Sequence, residues 1–396
     1  MVDARRVQES VGDTPMGRFV PQPAGYSAFI PSPLPSEGLE LGPQTIELLS
    51  GADRALGRLD GAAEVLPNPD LMVAMYSRKE ALLSSQIEGT EASMVDVLEY
   101  EAGAGADSAG RPARADVQEV LNHQQAMSHG LERLRGIPIS NRLLKEIHGV
   151  LMQGVRGQNR SPGEFRRTQN WIGPPGCTIE DATFVPPPVP QMHDALADLE
   201  RFIHGQDRIP ILIKCGLVHY QFETIHPFED GNGRMGRLLI TFLLAERQVL
   251  RRPLLYLSVY LKRHRAQYYD LLNRVRQTGG YGDWLDFFLR GVREVSVEAT
   301  DTARSVLQMR GQHLERVKEE VASAYAPALI DILLRSPAIT VTSASRYLEV
   351  SYQTANTIIG EFERLGIIEE MTGRERNRVF LYRPYLELLG GDLPPS

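Results

Sequence analysis

Apolar residues recur at helical spacing along most of the chain. Between positions 41 and 66 they fall at Ile46, Leu48, Leu49, Leu56 and Leu59, which predicts an amphipathic helix. Pro67-Asn68-Pro69 breaks that pattern. Asp70 then suits the N-cap of a second helix through Met72, Met75, Tyr76, Ala81, Leu82 and Leu83 to Glu88, with Gly89 as its C-terminal cap. Helical patterns resume over 117–134, over 141–152 after Pro138, and over 192–204. Two strongly apolar segments, 210–225 and 238–245, enclose one short polar loop, which predicts helix, tight loop, helix. Trp284, Phe287 and Phe288 close the apolar core, and a charged helical connector is expected over 306–321. Residues 1–37, rich in Pro and Gly, read as an extended arm anchored by Tyr26, Phe29 and Ile30. Residues 170–188 are the one stretch before the C-terminal part that reads as a short β-hairpin, with a proline-blocked exit. The Gly/Ala/Asp/Ser-rich segment 101–114 reads as a linker.

The polar loop holds the chemistry. It runs His226-Pro227-Phe228-Glu229-Asp230-Gly231-Asn232-Gly233-Arg234-Met235-Gly236-Arg237. Gly231 and Gly233 can adopt positive φ without steric cost. Successive N–H groups can then form a nest at the next helix's N-terminus, which favours an anion. Arg234 and Arg237, three apart, add two guanidiniums suited to an oligophosphate. Asp230 is placed to hold a divalent cation against phosphate oxygens. His226, at the end of the preceding helix, is the natural general base for a hydroxyl attacking that phosphate.

These residues resemble the signature of the Fic family, His-x-Phe-x-Asp/Glu-Gly-Asn-Gly-Arg-x-x-Arg, matched here at every fixed position. The resemblance implies a protein adenylyltransferase that moves AMP from ATP, with Mg²⁺, onto a Ser, Thr or Tyr hydroxyl of a protein, itself included. It assigns His226 as the catalytic base, Asp230 as the metal ligand, and Gly231, Asn232, Gly233, Arg234, Met235, Gly236 and Arg237 to the nucleotide. Tyr268 and Tyr269 resemble the wall on the adenine side. A helical Asn of some relatives is replaced by Arg276, and Asn273 could stand in for it. Ser84 and Glu88, four apart on one helix face before Gly89, resemble the family's inhibitory helix, in which the Glu pairs with the second motif arginine, Arg237 here. The 170–188 stretch resembles the flap that offers a strand edge to the target peptide. His219 reads as a packed histidine.

Beyond position 328 the pattern changes. Helices over 329–334, 342–348 and 352–365, the last capped by Ser351, precede strands near 366–369 and 379–382, and this resembles a winged helix. Glu349, Glu361, Glu363, Glu369, Glu370 and Glu375 balance its arginines and no lysine falls there, so DNA ranks below protein or dimer contact as its partner.

Length and composition fit this reading. The chain has 396 residues, enough for two or three domains, with a net charge of -7 and no whole-chain basic footprint. Only Cys177 and Cys215 occur, in no metal spacing, which suits a reduced, cytoplasmic protein with inert thiols. Apolar runs are too short to span a bilayer, and none follows Arg5 and Arg6 as a signal peptide would require. The expected fold class is mainly α: a Fic helical core with a small β-hairpin flap, plus a C-terminal winged-helix-like domain. The expected divisions are an arm and inhibitory-helix region over 1–115, a catalytic core over 116–300, a connector over 301–324 and the winged-helix-like domain over 325–396. A nucleotide-sensing regulator without transferase activity and an enzyme that removes AMP remain alternatives. A homodimer is likewise open.

Overall fold

The computed structural model describes residues 14–35, 39–64, 69–102, 114–155, 157, 159–373 and 377–390. The side chain of Asp70 and most of the 101–114 segment lie outside that description. The arm is more ordered than an extended strap. Strands β1 (Gly17–Pro21) and β2 (Ser27–Pro31) pair antiparallel, Gly17 opposite Pro31 and Pro21 opposite Ser27. The prolines that suggested an open chain sit at the ends of this ladder, where Pro is tolerated in a strand. Phe29 is buried, and its N–H donates to the Val185 carbonyl, tying the hairpin to the segment that leaves the 170–188 stretch.

Among the described residues eleven helices follow: α1 (Pro43–Glu64), α2 (Pro69–Ile87), α3 (Met94–Glu101), α4 (Arg114–Arg133), α5 (Asn141–Leu151), α6 (Val189–His204), α7 (Ile211–Ile225), α8 (Asn232–Glu246), α9 (Ser258–Arg263), α10 (Arg265–Thr278) and α11 (Gly282–Glu320). In α7 every residue from Leu212 to Ile225 is buried. A helix buried all round belongs at the centre of a core, and α6, α8 and α11 pack around it. The connector is not a separate element. Val292, Val295, Ala299, Ala303 and Val306 continue one buried stripe, with no Pro to interrupt it, so α11 runs through as a single helix against α1.

The 170–188 stretch folds back on itself with one antiparallel bridge, Ile172 to Phe184, closed by two hydrogen bonds of 2.8 and 3.0 Å. It is a looser hairpin than the two regular strands expected, because Pro174 and Pro175 on one arm and Pro186 to Pro188 on the other remove the N–H groups a longer ladder needs.

The C-terminal part is α12 (Ala326–Arg335), β3 (Ala338–Ile339), α13 (Val341–Leu348), α14 (Tyr352–Arg364), β4 (Glu369–Glu370), β5 (Phe380–Leu381) and α15 (Arg383–Leu388), with an antiparallel sheet in the order β3-β5-β4. That is the winged-helix arrangement. Thr340, rather than Thr342, caps α13, and Ser351 caps α14 as expected.

Helix α2 joins the two parts. Arg78 donates Nε to the Glu101 carboxylate at 2.9 Å and Nη1 to the Arg335 carbonyl at 3.0 Å. The neighbouring Lys79 donates to the Leu389 carbonyl at 2.6 Å. Both carbonyls sit at helix C-termini, where acceptors lack intrahelical partners and cations are favoured. Replacing Arg78 and Lys79 together by Ala should raise amide exchange across 385–390 by about tenfold, the equivalent of one or two lost bonds, while α7 and α8 stay protected. Hydrogen-exchange mass spectrometry reads this directly.

Candidate active site

The loop between α7 and α8 is shaped by backbone constraints. Pro227 disfavours a right-handed helical conformation in the residue before it. His226 accordingly ends α7 in the left-handed region at φ 49° and ψ 59°. For a non-glycine residue that conformation is uncommon and needs outside support. Arg166 supplies much of it: its Nε donates to the His226 carbonyl at 3.0 Å, its Nη1 to Thr168 and its Nη2 to Pro187, and its own N–H to Pro227. Asn170 donates to the carbonyls of His226 and Phe228 at 3.3 and 2.9 Å. Across the turn, the Asn232 amide accepts from the Phe228 N–H and donates to the Phe228 carbonyl, both at 2.8 Å. The Asn232 side chain is thus spent on closing the loop rather than on a ligand.

Phe228 is the loop's hydrophobic anchor. Its ring is fully buried and stacks on His148 of α5 at 3.8 Å between centroids. His148 accepts the Gly163 N–H on Nδ1 at 2.9 Å, which leaves Nε2 to donate to the Asp230 carbonyl at 3.0 Å. Burial drives the His148 pKa down to about 4, so this donor stays neutral at ordinary pH.

Gly231 opens α8 at φ 76°, as expected, and no side chain caps the helix. Its first-turn N–H groups are therefore available to an anion. Gly233 departs from the expectation: it is helical, and its value lies in close approach. A Cβ there would collide with the Glu88 carboxylate, and one on Gly236 would collide with that of Glu223.

A cavity of about 510 Å³ opens over this helix start. Glu88, Glu223, His226, Gly233 and Arg237 line one side, and Tyr268, Tyr269, Asn273 and Arg276 another. Ile172 and Phe184, the bridged pair of the 170–188 loop, complete it. Arg237 is almost wholly buried. Its Nη2 meets Glu88 Oε1 at 2.7 Å and the Ser84 carbonyl at 3.0 Å, and its Nε meets Ser84 Oγ at 2.8 Å. Ser84 is in the last turn of α2, and Glu88 lies just beyond it before Gly89, whose φ of 97° ends the helix. Glu88 keeps 35 % of its side chain exposed. Loss of solvent works to raise its carboxyl, but the charge and hydrogen bond of Arg237 outweigh that and hold it below the ordinary range.

The two motif arginines part company. Arg234 does not line the cavity. It turns instead toward Glu119 and Asp230, each 3.8 Å away, and toward the Met152 sulfur. Met235 is likewise packed in the core. Asp230 does not line the cavity either; it is 38 % exposed and accepts the Gly231 N–H at 2.7 Å. Among the described residues no group of three His, Cys, Asp or Glu side chains could hold a metal by itself. A single open carboxylate suits a hard cation that takes its other ligands from phosphate and water. Tyr268 is buried with its hydroxyl 2.8 Å from His219 Nε2, whose Nδ1 faces the Gly236 carbonyl at 2.9 Å. His219 is therefore a packed histidine, and Tyr269, 37 % exposed, is the tyrosine with open surface at the wall. Arg276 stacks 3.7 Å above the Phe184 ring and donates to Asn273 and Thr224.

Burial, with the cation of Arg166 adding to it, lowers the His226 pKa to about 4, while the Glu223 carbonyl acts the other way. Burial likewise raises Glu223 to about 7, against the pull of Arg237. Sequence reasoning missed His148, Arg166, Asn170 and Glu223. All four depend on contacts between distant segments.

Known proteins share parts of this sequence and this fold. Residues 46–132 match the model described as Fic/DOC family N-terminal, residues 138–244 the Fic/DOC family, and residues 326–380 an HTH DNA binding domain. A "Probable protein adenylyltransferase" of Aquifex aeolicus is 36% identical over 174 residues, covering 44% of this chain and 49% of that protein. The "Protein adenylyltransferase Fic" of Culex quinquefasciatus is 28% identical over 264 residues, covering 62% and 48%. The chain thus spans about half the length of the curated relatives it matches. The crystal structure of a Fic family protein from Desulfovibrio desulfuricans G20 shares the fold, with a TM-score of 0.56 at 20% identity over 87% of this chain and 97% of that one. Residues 46–132 and 138–244 are thus a Fic/DOC N-terminal unit and a Fic/DOC domain, and residues 326–380 carry a helix-turn-helix unit.

Asn232→Ala should destabilise the protein by about 2–4 kcal/mol, because it leaves two buried backbone groups of Phe228 unpaired. Urea denaturation checks this: a lower midpoint at unchanged slope is expected.

Proposed function

We propose that this protein is an adenylyltransferase that transfers AMP from ATP to a Ser, Thr or Tyr hydroxyl of a protein, itself included, and that Glu88 restrains it through Arg237. One observation carries the reading: His226 and Arg237 line the same cavity, over a helix start with unspent N–H groups. The names of the curated relatives support the reaction type.

In this reading the acceptor hydroxyl gives its proton to His226 as its oxygen attacks the α-phosphorus. The bond from that phosphorus to the β-phosphate oxygen breaks, and pyrophosphate leaves. His226 Nδ1 is sealed from solvent, with the Glu223 carbonyl acting on the ring, so Nε2 is the nitrogen assigned to the substrate. Asp230 would hold Mg²⁺ through its open carboxylate, and the cation would neutralise charge on the leaving pyrophosphate. The 170–188 loop, with one bridge and free edges, is the surface assigned to the target backbone. Arg237 is assigned to the outer phosphates of ATP. While Glu88 occupies it, the triphosphate cannot take its productive pose, and a displacement of about 1 Å costs on the order of 100-fold in rate. For the C-terminal unit we rank protein contact above duplex DNA, because its acidic residues offset its arginines.

Glu88→Gly should raise self-modification by about tenfold or more over wild type, read by intact mass after incubation with ATP and Mg²⁺. His226→Ala or Arg237→Ala in that background should abolish the gain. Unchanged activity in Glu88→Gly would remove the restraint from the proposal.

The pH profile tests the base. A base works deprotonated, and the His226 pKa is depressed to about 4, so activity should fall only as pH drops through that value. In Glu88→Gly, the acid limb of kcat/KM should lie well below the ordinary imidazole value of about 6.5. A limb at the ordinary value would reassign the base.

A further inference from the structure

Glu223 is a carboxylate for which the proposed chemistry has no use. It lies three residues before His226 on α7, is buried, and lines the cavity beside Arg237. Its Oε1 is sealed without a hydrogen-bond partner, packed where a side chain at position 236 would otherwise be. The groups that bear on it are Arg237 from α8, Glu88 from the end of α2, and Arg276 and Tyr268 from α10, with His219 and His226 from its own helix. Arg237 already has Glu88 as its hydrogen-bonded anion.

We propose that Glu223 is a nucleotide-binding residue of the cavity and that it acts as a neutral carboxylic acid, donating a hydrogen bond to an oxygen of the nucleotide beside Arg237. The inference rests on the nucleotide reading of the cavity. An ionised carboxylate here would keep one oxygen buried and unpaired, which is costly. It would also face the phosphates of the ligand with like charge. The protonated form removes both penalties and supplies a donor. Burial already raises the group to about 7. Glu88 is part of that rise, and a bound polyanion acts in the same sense. Gly236 makes room for the acid, since any larger residue would push it out of the wall.

The sign follows from linkage. A carboxyl that is more protonated in the complex than in the free protein makes binding take up a proton, so affinity falls as pH rises through the free-state value. ADP is the probe, measured by calorimetry on the full chain at about pH 6 and about pH 8.5. Wild type should lose about tenfold in affinity relative to Glu223→Gln over that interval. Comparison with this variant cancels the titration of ADP itself. Glu223→Gln, which keeps an N–H donor without a charge, should bind ADP within about twofold of wild type at the lower pH, whereas Glu223→Asp, a methylene shorter, should bind at least about fivefold more weakly. Equal pH dependence of wild type and Glu223→Gln would overturn the proposal, as would a Glu223→Gln affinity no better than that of Glu223→Asp. No ADP binding by any of the three at either pH would overturn the nucleotide reading itself, and this inference with it.

Discussion

A guanidinium with almost no solvent contact must be given an anion, and much of the site is arranged around that need at Arg237. Leaving such a charge unpaired costs several kcal/mol. Here the anion is Glu88, and Ser84 fills two further donor directions. The pairing sets what surrounds it. The end of α2 must reach α8, so position 233 must lack a side chain. The second carboxylate nearby, Glu223, stands against the same guanidinium with its pKa raised by burial to about 7. A phosphate is the natural competitor for this single-oxygen contact, since it carries more charge and can engage a guanidinium through two oxygens. In the proposed reading, structure and restraint are one contact.

The catalytic loop depends on a different economy, that of buried backbone groups. It is a tight turn that cannot pair with itself. Arg166, Asn170, Asn232 and His148 together take up the carbonyls of His226, Phe228 and Asp230 and the N–H of Phe228. Three of these residues come from outside the motif. They hold His226 in its left-handed conformation and aim the start of α8 at the cavity. Their side chains are consumed in doing so, and His226, Arg237 and the residues of the wall are what stays open to the cavity.

Helix α2 connects these two economies to the rest of the molecule. One stretch of it, at Arg78 and Lys79, caps the ends of α12 and α15, and its last turn carries Ser84 to Arg237. The winged-helix part is thus held by the same element that closes the site.

Much of this was legible in the sequence, because it rests on local rules. Apolar periodicity marked the core helices, α7 and α8 above all. Pro227 and Gly231 marked the loop, and Ser351 marked the start of α14. The spacing of Ser84, Glu88 and Gly89 marked a helix end with a carboxylate awaiting a cation. Other features were decided only by tertiary structure. Whether a proline sits inside a ladder or at its end depends on the partner strand, so the β1–β2 hairpin was hidden in a proline-rich arm. Whether two arginines three apart share a ligand depends on what faces each, and Arg234 met Glu119 while Arg237 met Glu88. Gly233 read as a positive-φ turn residue and Gly236 as part of the nucleotide site, yet each sits where a carboxylate comes close, Glu88 from just beyond α2 and Glu223 from α7. Arg166, His148 and Glu223 carried no signal of their own. A buried charge or ring acquires its role from neighbours 60 or more residues away in some cases and across one helix turn in others, and single-chain spacing does not encode that distance.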